Sequence, residues 1–225
     1  MFKIRHALIM AAGRGQRMMP LTDVMPKPMA PYQGSTLIAR GMSRLASKLD
    51  HIHVTVGYKG AMLAQHVIEQ GASSVFNTEG RGNCWWIYNT LLKYLDEPVC
   101  VLTCDNVVDL DFQLLEDNYR ELDCPPCMLV PVKPVEGLDG DYVFHANHVV
   151  TEVTRDRESE MYCSGIQVLN PAKINALTGE GSNFYSVWNQ LIVEGQLLVS
   201  SVYPERWYAV DTLEQLVSLN SVPAW

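Results

Sequence analysis

A glycine-rich segment near the start of the chain brings small residues and two arginines together after the apolar run 6–12. It consists of Ala11, Ala12, Gly13, Arg14, Gly15, Gln16 and Arg17. The small residues allow backbone N–H groups to approach an anion, and the arginines place fixed positive charge beside them. The segment lacks the Gly-Lys-Ser/Thr of a P-loop, and Met18 replaces the third glycine of a dinucleotide fingerprint. It predicts a phosphate cradle of another kind, and an ordinary basic surface turn is the alternative.

Lys27 is a third candidate cation, ten residues beyond Arg17, in the sequence Pro26-Lys27-Pro28. Because each proline fixes its own backbone torsion φ, the two prolines present this lysine at a defined place. An exposed lysine without a function is the alternative. We expect Lys27 to act with the two arginines on a bound anion.

Two aspartates stand where predicted strands end, which is where an α/β sheet binds its ligands. Asp105 follows the apolar run 99–104, and Asp211 lies between the run 207–210 and a helical segment. Both would lie at the same edge as the predicted phosphate cradle, and Mg²⁺ prefers one or two carboxylates with phosphate oxygens and water. We therefore predict that Asp105 and Asp211 bind Mg²⁺. For Asp211, a role as a helix N-cap is the alternative.

A second pair of carboxylates, Asp109 and Asp111, lies close to Asp105 in the chain. We predict that both belong to the N-terminal end of the next helix, where the helix dipole favours negative charge. Their Asp-Leu-Asp spacing also leaves open a glycosyltransferase, whose DxD motif binds a metal and a nucleotide sugar. Arg17 and Lys27 argue against that class, because it has no evident use for them.

The hydrophobic pattern predicts the elements that position these residues. Short apolar strands alternate with amphipathic helices in the first half, with strands at 6–12, 51–56, 73–76 and 99–104 and helices at 35–48, 59–70, 83–95 and 110–122. The second half adds β-rich runs at 128–132, 141–144, 148–153, 162–168 and 197–203, and helices at 171–177, 184–193 and 212–219. Such alternation is typical of βαβ units. We predict an α/β fold with a doubly wound, mainly parallel but mixed sheet of the nucleotide-binding type and helices on both faces.

The composition sets limits on the class of protein. The chain has 225 residues, 48% of them hydrophobic, and we expect one domain, with about 1–122 as a nucleotide-binding half and about 123–225 as an acceptor-binding half. No apolar run approaches the length of a membrane span, so no membrane partner is expected. A net charge of −8 argues against a nucleic-acid partner. Six cysteines without a secretory signal predict reduced thiols and a cytoplasmic location.

The segment from Gly13 to Pro31 resembles the signature of the nucleotidyltransferases that activate sugar 1-phosphates and related phosphate monoesters. That signature is a glycine-rich loop ending in arginine, then Pro-Leu-Thr, then Pro-Lys-Pro. The resemblance implies that the backbone from Ala11 to Gly15 holds a nucleoside triphosphate. It also implies that Arg17 stabilises the leaving pyrophosphate and that Lys27 bridges the two reacting phosphates. The metal pair of the family comes in the same chain order as Asp105 and Asp211.

The middle of the chain is more similar to bacterial phosphocholine cytidylyltransferases, at 56–58, 76–77 and 83–88. From this resemblance, Gly57 and Asn83 are further candidates for nucleotide binding. The acceptor has two interpretations. A sugar is held by hydrogen bonds to its hydroxyls, whereas a quaternary ammonium needs the faces of aromatic rings. The candidates for acceptor binding are Tyr142, Glu152, Tyr162, Tyr185 and Trp188, although aromatic residues on a helix often belong to the core.

The sequence thus predicts a Mg²⁺-dependent enzyme that joins a nucleoside triphosphate to a sugar 1-phosphate by direct in-line displacement, giving a nucleotide sugar and pyrophosphate. The alternative with the most support is transfer of CMP from CTP to phosphocholine or a similar phosphorylated alcohol. A glycosyltransferase and a nucleotide-sensing module without activity are the remaining alternatives. The nucleotide base stays open, and so does a homo-oligomer.

Overall fold

The computed structural model describes residues 3–135 and 140–222. Its strands are β1 (His6–Ala11), β2 (Pro31–Tyr32), β3 (Ser35–Thr36), β4 (His51–Val56), β5 (Ser74–Asn77), β6 (Val99–Thr103), β7 (Asn106–Asp109), β8 (Cys127–Val132), β9 (Tyr142–Ala146), β10 (Val149–Thr154), β11 (Tyr162–Leu169), β12 (Leu197–Val199) and β13 (Arg206–Ala209). Its α-helices are α1 (Leu21–Val24), α2 (Leu37–Ala46), α3 (Gly60–Glu69), α4 (Trp85–Asn89), α5 (Phe112–Glu121), α6 (Pro171–Leu177), α7 (Phe184–Val193) and α8 (Leu213–Ser221). Short 3₁₀ turns cover Gln16–Met18, Lys27–Met29 and Leu91–Tyr94.

The chain divides into two compact units, each assembled from three stretches. Unit A comprises His6–Gly80, Leu102–Val108 and Arg206–Trp225. Unit B comprises Met1–Arg5, Arg81–Val101 and Asp109–Glu205. Neither unit corresponds to one half of the sequence.

Unit A contains a parallel sheet in which β5, β4 and β1 follow one another. The register of β1 on β4 pairs His6 with His51 and Ala11 with Val56. The end of β6 continues the same edge, because the N–H of Cys104 donates to the carbonyl of Met10 over 3.0 Å. The loops after β1, β4 and β6 therefore leave the sheet at its carboxyl edge, as ligand-binding loops do in α/β folds.

A small second core in unit A holds the segment after β1 against the C-terminal helix α8. Its buried members are Met18, Ala30, Tyr32, Leu37, Val107, Val210, Leu216 and Leu219. They come from the loop after β1, the β2–β3 hairpin and the residue before it, the start of α2, β7, the residue after β13, and α8. Strand β7 pairs with β13 in a two-stranded sheet. Removing apolar area of this kind from water stabilises the fold by about 25 cal/mol per Å². The core therefore fixes parts of the chain that are about 200 residues apart in sequence.

Unit B contains the antiparallel part of the main sheet. The start of β6 pairs with β11, with Val101 opposite Gln167, and β11 pairs in turn with β8. Beyond β8 come β12, β10 and β9, of which β12 runs parallel to β8. Nine of the described strands belong to the main sheet. The predicted α/β fold with a mainly parallel, mixed sheet is confirmed.

Three local expectations are wrong. The predicted helix 83–95 breaks at Thr90, whose backbone is extended and whose hydroxyl accepts the N–H of Leu92, so that α4 is followed by a 3₁₀ turn. Asp109 ends β7 and does not enter the next helix, because a strand lies between Asp105 and α5. The strand expected at 197–203 ends at Val199. No helix among residues 3–135 and 140–222 is long and apolar enough to cross a bilayer.

Candidate active site

An open cavity of about 480 Å³ lies in unit A at the carboxyl ends of β1 and β6. The residues that line it are Met10, Gly13, Arg14, Gly15, Gln16, Arg17, Lys27, Thr103, Cys104, Asp105 and Asp211. The structure thus brings the predicted phosphate cradle, the three predicted cations and the two predicted metal ligands to one place. They come from three distant parts of the sequence.

Gly15 is the residue that lets the lysine cross the loop. Its backbone is left-handed, with φ +65°, a conformation that favours glycine. A Cβ on Gly15 would lie 2.7 Å from Cβ of Lys27 and 3.1 Å from its Cδ, so only a residue without a side chain leaves room for the lysine stem. The carbonyl of Gly15 also accepts the N–H of Met18 and the hydroxyl of Thr22, which closes the turn.

Lys27 joins the two candidate metal ligands. Its Nζ donates to Oδ2 of Asp105 over 2.5 Å and to Oδ1 of Asp211 over 2.9 Å. The 3₁₀ turn Lys27–Met29 begins directly after the extended Pro26 and contains Pro28, so the backbone leaves little freedom at this point. The side chain of Lys27 is 9% exposed. The alternative of a solvent-exposed lysine is excluded.

The charge of Lys27 follows from these two contacts. Burial on its own lowers the pKa of a lysine, because a low-dielectric environment disfavours the charged form. The charge of Asp105 and the hydrogen bonds to Asp105 and Asp211 outweigh that cost, and the pKa of Lys27 is raised above its usual value of 10.5. Lys27 is therefore a permanent cation at neutral pH.

Arg17 reaches the same carboxylate from the solvent side. Its Nη2 lies 2.9 Å from Oδ1 of Asp211, the oxygen that also accepts from Lys27. The side chain of Arg17 is 68% exposed, and exposed ion pairs contribute only about 0–1 kcal/mol. Arg17 can therefore exchange Asp211 for a bound phosphate at little cost.

The second core of unit A explains why these charged groups converge. Arg17 precedes the fully buried Met18, and Asp211 follows the buried Val210. The N–H of Val210 donates to the carbonyl of Asp105 over 3.0 Å, which ties the two carboxylate-bearing segments together. Apolar burial thus fixes the backbone beside each charge.

The alternatives for the aspartates are settled by hydrogen bonds. The N-cap of α8 is Thr212, whose hydroxyl accepts the N–H of Gln215, so Asp211 is not the cap. Asp111 is the N-cap of α5 and accepts the N–H of Leu114 over 3.0 Å. The carboxylate of Asp111 therefore has a structural role as a helix cap, which argues against Asp109 and Asp111 as a metal-binding DxD motif.

The carboxylate pair fits a magnesium ion. Both oxygens lie within 2.9 Å of the Lys27 Nζ, so one cation can contact both. In the described part of the chain no group of three or more His, Cys, Asp or Glu side chains could hold a metal ion. Two carboxylates completed by phosphate oxygens and water is the coordination that Mg²⁺ favours.

Gly57 lets the end of β4 approach the end of β1. A Cβ on Gly57 would lie 2.6 Å from the carbonyl oxygen of Ala12, and the N–H of Tyr58 donates to that same oxygen. Ala11 is buried in β1, and its N–H donates to the hydroxyl of Thr55 over 3.2 Å. The structure thus shows how Ala11, Ala12 and Gly57 shape the start of the loop.

The family model described as nucleotidyl transferase matches residues 6–137, more than half of the chain. The protein belongs to the nucleotidyl transferase family. The match covers the glycine-rich loop, Lys27 and Asp105.

Curated members of the family with similar sequences are longer than this chain. Mannose-1-phosphate guanyltransferase of Debaryomyces hansenii is 24% identical over 226 residues, which cover 94% of this chain and 62% of that protein. The bifunctional protein GlmU of Methanococcus maripaludis strain S2 is 36% identical over 122 residues, which cover 52% of this chain and 26% of that protein. The chain thus spans less than two thirds of the length of these two relatives.

Solved nucleotidyltransferase structures share the fold over nearly the whole chain. The inositol-1-phosphate CTP transferase from T. maritima has a TM-score of 0.72 and 17% identity, and the match covers 98% of each chain. The CTP:phosphocholine cytidylyltransferase from Streptococcus pneumoniae has a TM-score of 0.73 and 19% identity, with 96% of this chain and 98% of that chain covered. At these identities the likeness shows the fold alone.

Three of the predicted acceptor residues, Tyr142, Tyr162 and Tyr185, lie in unit B, and one of them contacts Asp141. The hydroxyl of Tyr185 donates to Asp141, and Nε of Arg155 donates to the same carboxylate oxygen over 2.5 Å. Tyr142 and Tyr162 form an edge-to-face pair whose hydroxyls are 3.2 Å apart. Burial and the carboxylate of Asp141 raise the pKa of Tyr185 to about 12, so its hydroxyl stays protonated.

Trp188 and Glu152 lie in other surroundings. Trp188 is buried in the core of unit B, where its indole N–H donates to Gln167 and its ring packs edge-on against Tyr185. It supports the tyrosine and does not offer an open ring face. Glu152 lies on β10 and forms an ion pair with Arg157.

Asn83 is used to hold a helix in place. Its side-chain oxygen accepts the N–H of Phe184, the first residue of α7, over 2.9 Å. The neighbouring Gly82 lies against the backbone of Ser182, where a Cβ would be only 1.8 Å from the carbonyl oxygen. The segment around Asn83 is thereby fixed to the α7 N-terminus, within unit B.

Sequence reasoning missed two residues that support the loop. Thr22 is buried and its hydroxyl donates to the carbonyl of Gly15 over 3.1 Å. Tyr58 donates its hydroxyl to the carbonyl of Thr22 over 2.9 Å. The signals were present in the Pro-Leu-Thr sequence and in the Gly57-Tyr58 pair, but the contacts depend on chain segments that are 36 residues apart.

Proposed function

We propose that this protein is a Mg²⁺-dependent nucleotidyltransferase that joins a nucleoside triphosphate to a sugar 1-phosphate and releases pyrophosphate. The observation that carries the proposal is the contact of Lys27 with both Asp105 and Asp211 in the cavity that the glycine-rich loop lines. This cavity combines three cations with two carboxylates, the groups that a reaction between two phosphates requires.

The proposed reaction is a single in-line displacement. An oxygen of the acceptor phosphate attacks the α-phosphorus of the triphosphate. The bond from that phosphorus to the oxygen that bridges to the β-phosphorus breaks, and the electron pair leaves with pyrophosphate. The acceptor phosphate is already an anion, so no side chain has to act as the nucleophile. Catalysis is therefore positioning and neutralisation of charge, as in other phosphoryl transfers.

The residues of unit A divide this work. The loop from Ala11 to Gly15 binds the triphosphate through backbone N–H groups and Arg14. Arg17 turns from Asp211 to the departing pyrophosphate, which its exposure permits. Lys27 supplies a buried, permanent positive charge where the two phosphates meet. Gly57 shapes the start of that loop and completes the proposed nucleotide-binding set in unit A. Asn83 belongs to unit B, where its side-chain oxygen holds Phe184, so it is left out of this set.

Asp105 and Asp211 are the proposed metal ligands. When bound, Mg²⁺ would neutralise phosphate oxygens and draw the two reacting groups together. The lysine that contacts both carboxylates keeps them adjacent and oriented toward the cavity.

The group around Asp141 is the proposed acceptor site. Tyr185, Tyr142 and Tyr162 offer hydroxyls, and Asp141 and Arg155 offer a fixed carboxylate and guanidinium. A sugar is bound through this kind of polar array, in which each hydroxyl finds a donor and an acceptor. We therefore place a sugar 1-phosphate first.

Phosphocholine with CTP is the second candidate. Two features favour it, the hydrogen bond of Tyr185 to the Asp141 carboxylate and the edge-to-face ring pair of Tyr142 and Tyr162, because a quaternary ammonium binds to ring faces and negative charge. The ion pair of Asp141 with Arg155 argues against phosphocholine, because the Arg155 guanidinium already neutralises the carboxylate that would attract the quaternary ammonium.

We also propose a cytoplasmic location. All six cysteines are free thiols, as expected of a protein in a reducing compartment. Fractionation of cells that express the protein tests this directly: recovery in the cytosolic fraction is expected, and recovery with membranes or secreted protein would contradict it.

The test of the function is a matrix of four nucleoside triphosphates against mannose 1-phosphate, glucose 1-phosphate, inositol 1-phosphate and phosphocholine, with pyrophosphate as the readout. We expect a sugar 1-phosphate to give the highest turnover. Phosphocholine with CTP as the best pair would replace our first choice of acceptor. Triphosphate binding without pyrophosphate from any pair would favour a nucleotide-sensing module.

A further inference from the structure

Tyr58 contacts the glycine-rich loop at two points and the helix after it at a third. Its backbone N–H donates to the carbonyl of Ala12 over 3.0 Å, where the loop begins. Its hydroxyl donates to the carbonyl of Thr22 over 2.9 Å, in helix α1, which follows the loop. Its ring lies under the guanidinium of Arg14, with the Arg14 Cζ 5.4 Å from the ring centroid. One residue from the β4–α3 turn therefore supports the start of the loop, Arg14 within it and the helix that follows.

The chain is shaped to bring Tyr58 close to the loop. Gly57 lets the backbone approach, since a Cβ there would collide with the Ala12 carbonyl. The residue after Tyr58, Lys59, has a left-handed backbone with φ +51°, which is unusual for a residue with a side chain. Its Nζ lies 5.5 Å from the centroid of the same ring. The ring of Tyr58 thus lies close to two cations.

A cation within about 6 Å of an aromatic face is attracted by the negative charge of that face. An arginine on a loop of glycine and small residues would otherwise sample many rotamers, and binding a phosphate would require all but one of them to be lost. The ring of Tyr58 restricts Arg14 before any ligand arrives. Arg14 lines the cavity, so the restriction acts on a group at the proposed triphosphate site.

We propose that Tyr58 is a positioning residue for the triphosphate. Its ring holds Arg14, its N–H holds the start of the loop at Ala12, and its hydroxyl holds α1 at Thr22. This inference rests on the proposed function for the identity of the ligand. It assigns the two parts of the side chain different tasks: the ring restricts Arg14, and the hydroxyl holds α1 at Thr22. The two tasks can be separated by substitution.

The experiment is a double-mutant cycle on triphosphate binding, measured by calorimetry with Mg²⁺ and without acceptor. ATP, CTP, GTP and UTP are tested in turn, and the best ligand is used. Tyr58→Phe and Tyr58→Leu are each made with Arg14 present and in the Arg14→Ala background. Tyr94→Leu is the matched control, because Tyr94 is 72% exposed and carries the Nζ of Lys93 4.8 Å from its ring.

The ring should matter only when Arg14 is present. With Arg14, we expect Tyr58→Leu to bind the triphosphate about two- to fivefold more weakly than Tyr58→Phe. In the Arg14→Ala background, the two substitutions should give the same affinity. Tyr94→Leu should bind like the wild type. A general loss of structure would weaken binding in both backgrounds, so this pattern separates positioning from stability.

Two results would overturn the inference. In the first, Tyr58→Leu binds the triphosphate more weakly than Tyr58→Phe by the same factor in both backgrounds. In the second, the two variants bind equally well in both backgrounds. The cycle needs binding only, so it stands even when no acceptor is turned over, a result that would overturn the proposed function alone. Normal turnover by the wild type, together with a double-mutant cycle that shows no coupling between Tyr58 and Arg14, would overturn this inference alone. A wild-type protein that binds none of the four triphosphates would overturn both.

Discussion

The ammonium of Lys27 lies 2.5 Å from a carboxylate oxygen of Asp105, although 78 residues separate the two in the chain. The lysine reaches this position because Gly15 leaves space for its stem, and the aspartate because a buried strand ends immediately before it. The same ammonium contacts Asp211. A buried lysine between two carboxylates is costly to desolvate, so we attribute its presence to function.

The first prediction concerns the two carboxylates. Asp105→Asn and Asp211→Asn should each lower turnover by about 10²-fold or more, because each removes a charge that the reacting phosphates and the metal need. Circular dichroism and thermal melting should show a folded protein. Asp111→Asn is the matched control, since asparagine caps a helix as well as aspartate does and α5 should be unaffected. A larger loss from Asp111→Asn than from either site variant would restore the DxD interpretation.

The second prediction separates the two cations. Lys27→Met should lower kcat more than triphosphate affinity, because the buried ammonium lies at the carboxylate pair where the phosphates are proposed to meet. Arg17→Ala should weaken use of the triphosphate, because Arg17 is exposed at the rim of the same cavity. Steady-state kinetics with saturating acceptor gives both quantities. Small and equal effects of the two substitutions would instead favour the alternative that this segment is an ordinary basic surface loop.

The third prediction concerns the close approach at Gly57. Gly57→Ala should weaken triphosphate binding, because the new Cβ would lie 2.6 Å from the Ala12 carbonyl and push the start of the loop away. Gly41→Ala is the control: nothing lies within 4 Å of its Cβ position, and alanine in α2 should stabilise the helix by about 1 kcal/mol. Calorimetric titration and thermal melting of both variants check this. Unchanged binding by Gly57→Ala would contradict the packing argument.

The fourth prediction is a loss of stability in weak acid. Burial, together with the nearby His6 and His51, lowers the pKa of His53 from 6.5 to about 4. The unfolded chain therefore binds more protons than the folded protein between these values, and stability should fall as the pH drops through this window, by on the order of 3 kcal/mol at most. Urea unfolding at a series of pH values should give a shallower dependence for His53→Gln. His145→Gln, at an exposed position, should retain the wild-type dependence.

The fifth prediction distinguishes the two acceptors. Tyr185→Phe removes the hydroxyl that donates to Asp141 and keeps the ring. A sugar 1-phosphate should then be used several-fold less well, whereas phosphocholine should be affected little. Trp188→Ala is unsuitable for this purpose, because loss of a buried tryptophan costs about 3–5 kcal/mol of stability. Equal effects of Tyr185→Phe on the use of both acceptors would contradict the assignment of Tyr185 to the acceptor site.

The charged residues could be predicted because local patterns locate them. Asp105 follows an unbroken apolar strand, and Lys27 lies between prolines, so neither prediction depends on distant contacts. The apolar run before Asp211 predicts that it follows a strand. Its position in the fold, however, is fixed by the pairing of β13 with β7, about 100 residues earlier in the chain. That pairing has no local signal, because both strands are only four residues long.

The remaining differences have the same origin. Tyr58 supports the loop through contacts that reach 36 and 44 residues back along the chain, and no sequence period reveals them. The sequence alone allows the ring of Trp188 to line a ligand site. The structure shows that its indole N–H donates to the buried Gln167, a contact that has no local sequence signal. The break at Thr90 depends on whether its hydroxyl turns toward Leu92, a choice that tertiary packing makes.

The most direct test of the central claim is pyrophosphate release by the wild type and by Asp105→Asn, with each of Mg²⁺, triphosphate and acceptor left out in turn. Release should require all three components, stop on addition of EDTA and fall by about 10²-fold or more in the variant. Release by Asp105→Asn at the wild-type rate, or release without an acceptor phosphate, would contradict the assignment of this cavity as the nucleotidyl transfer site.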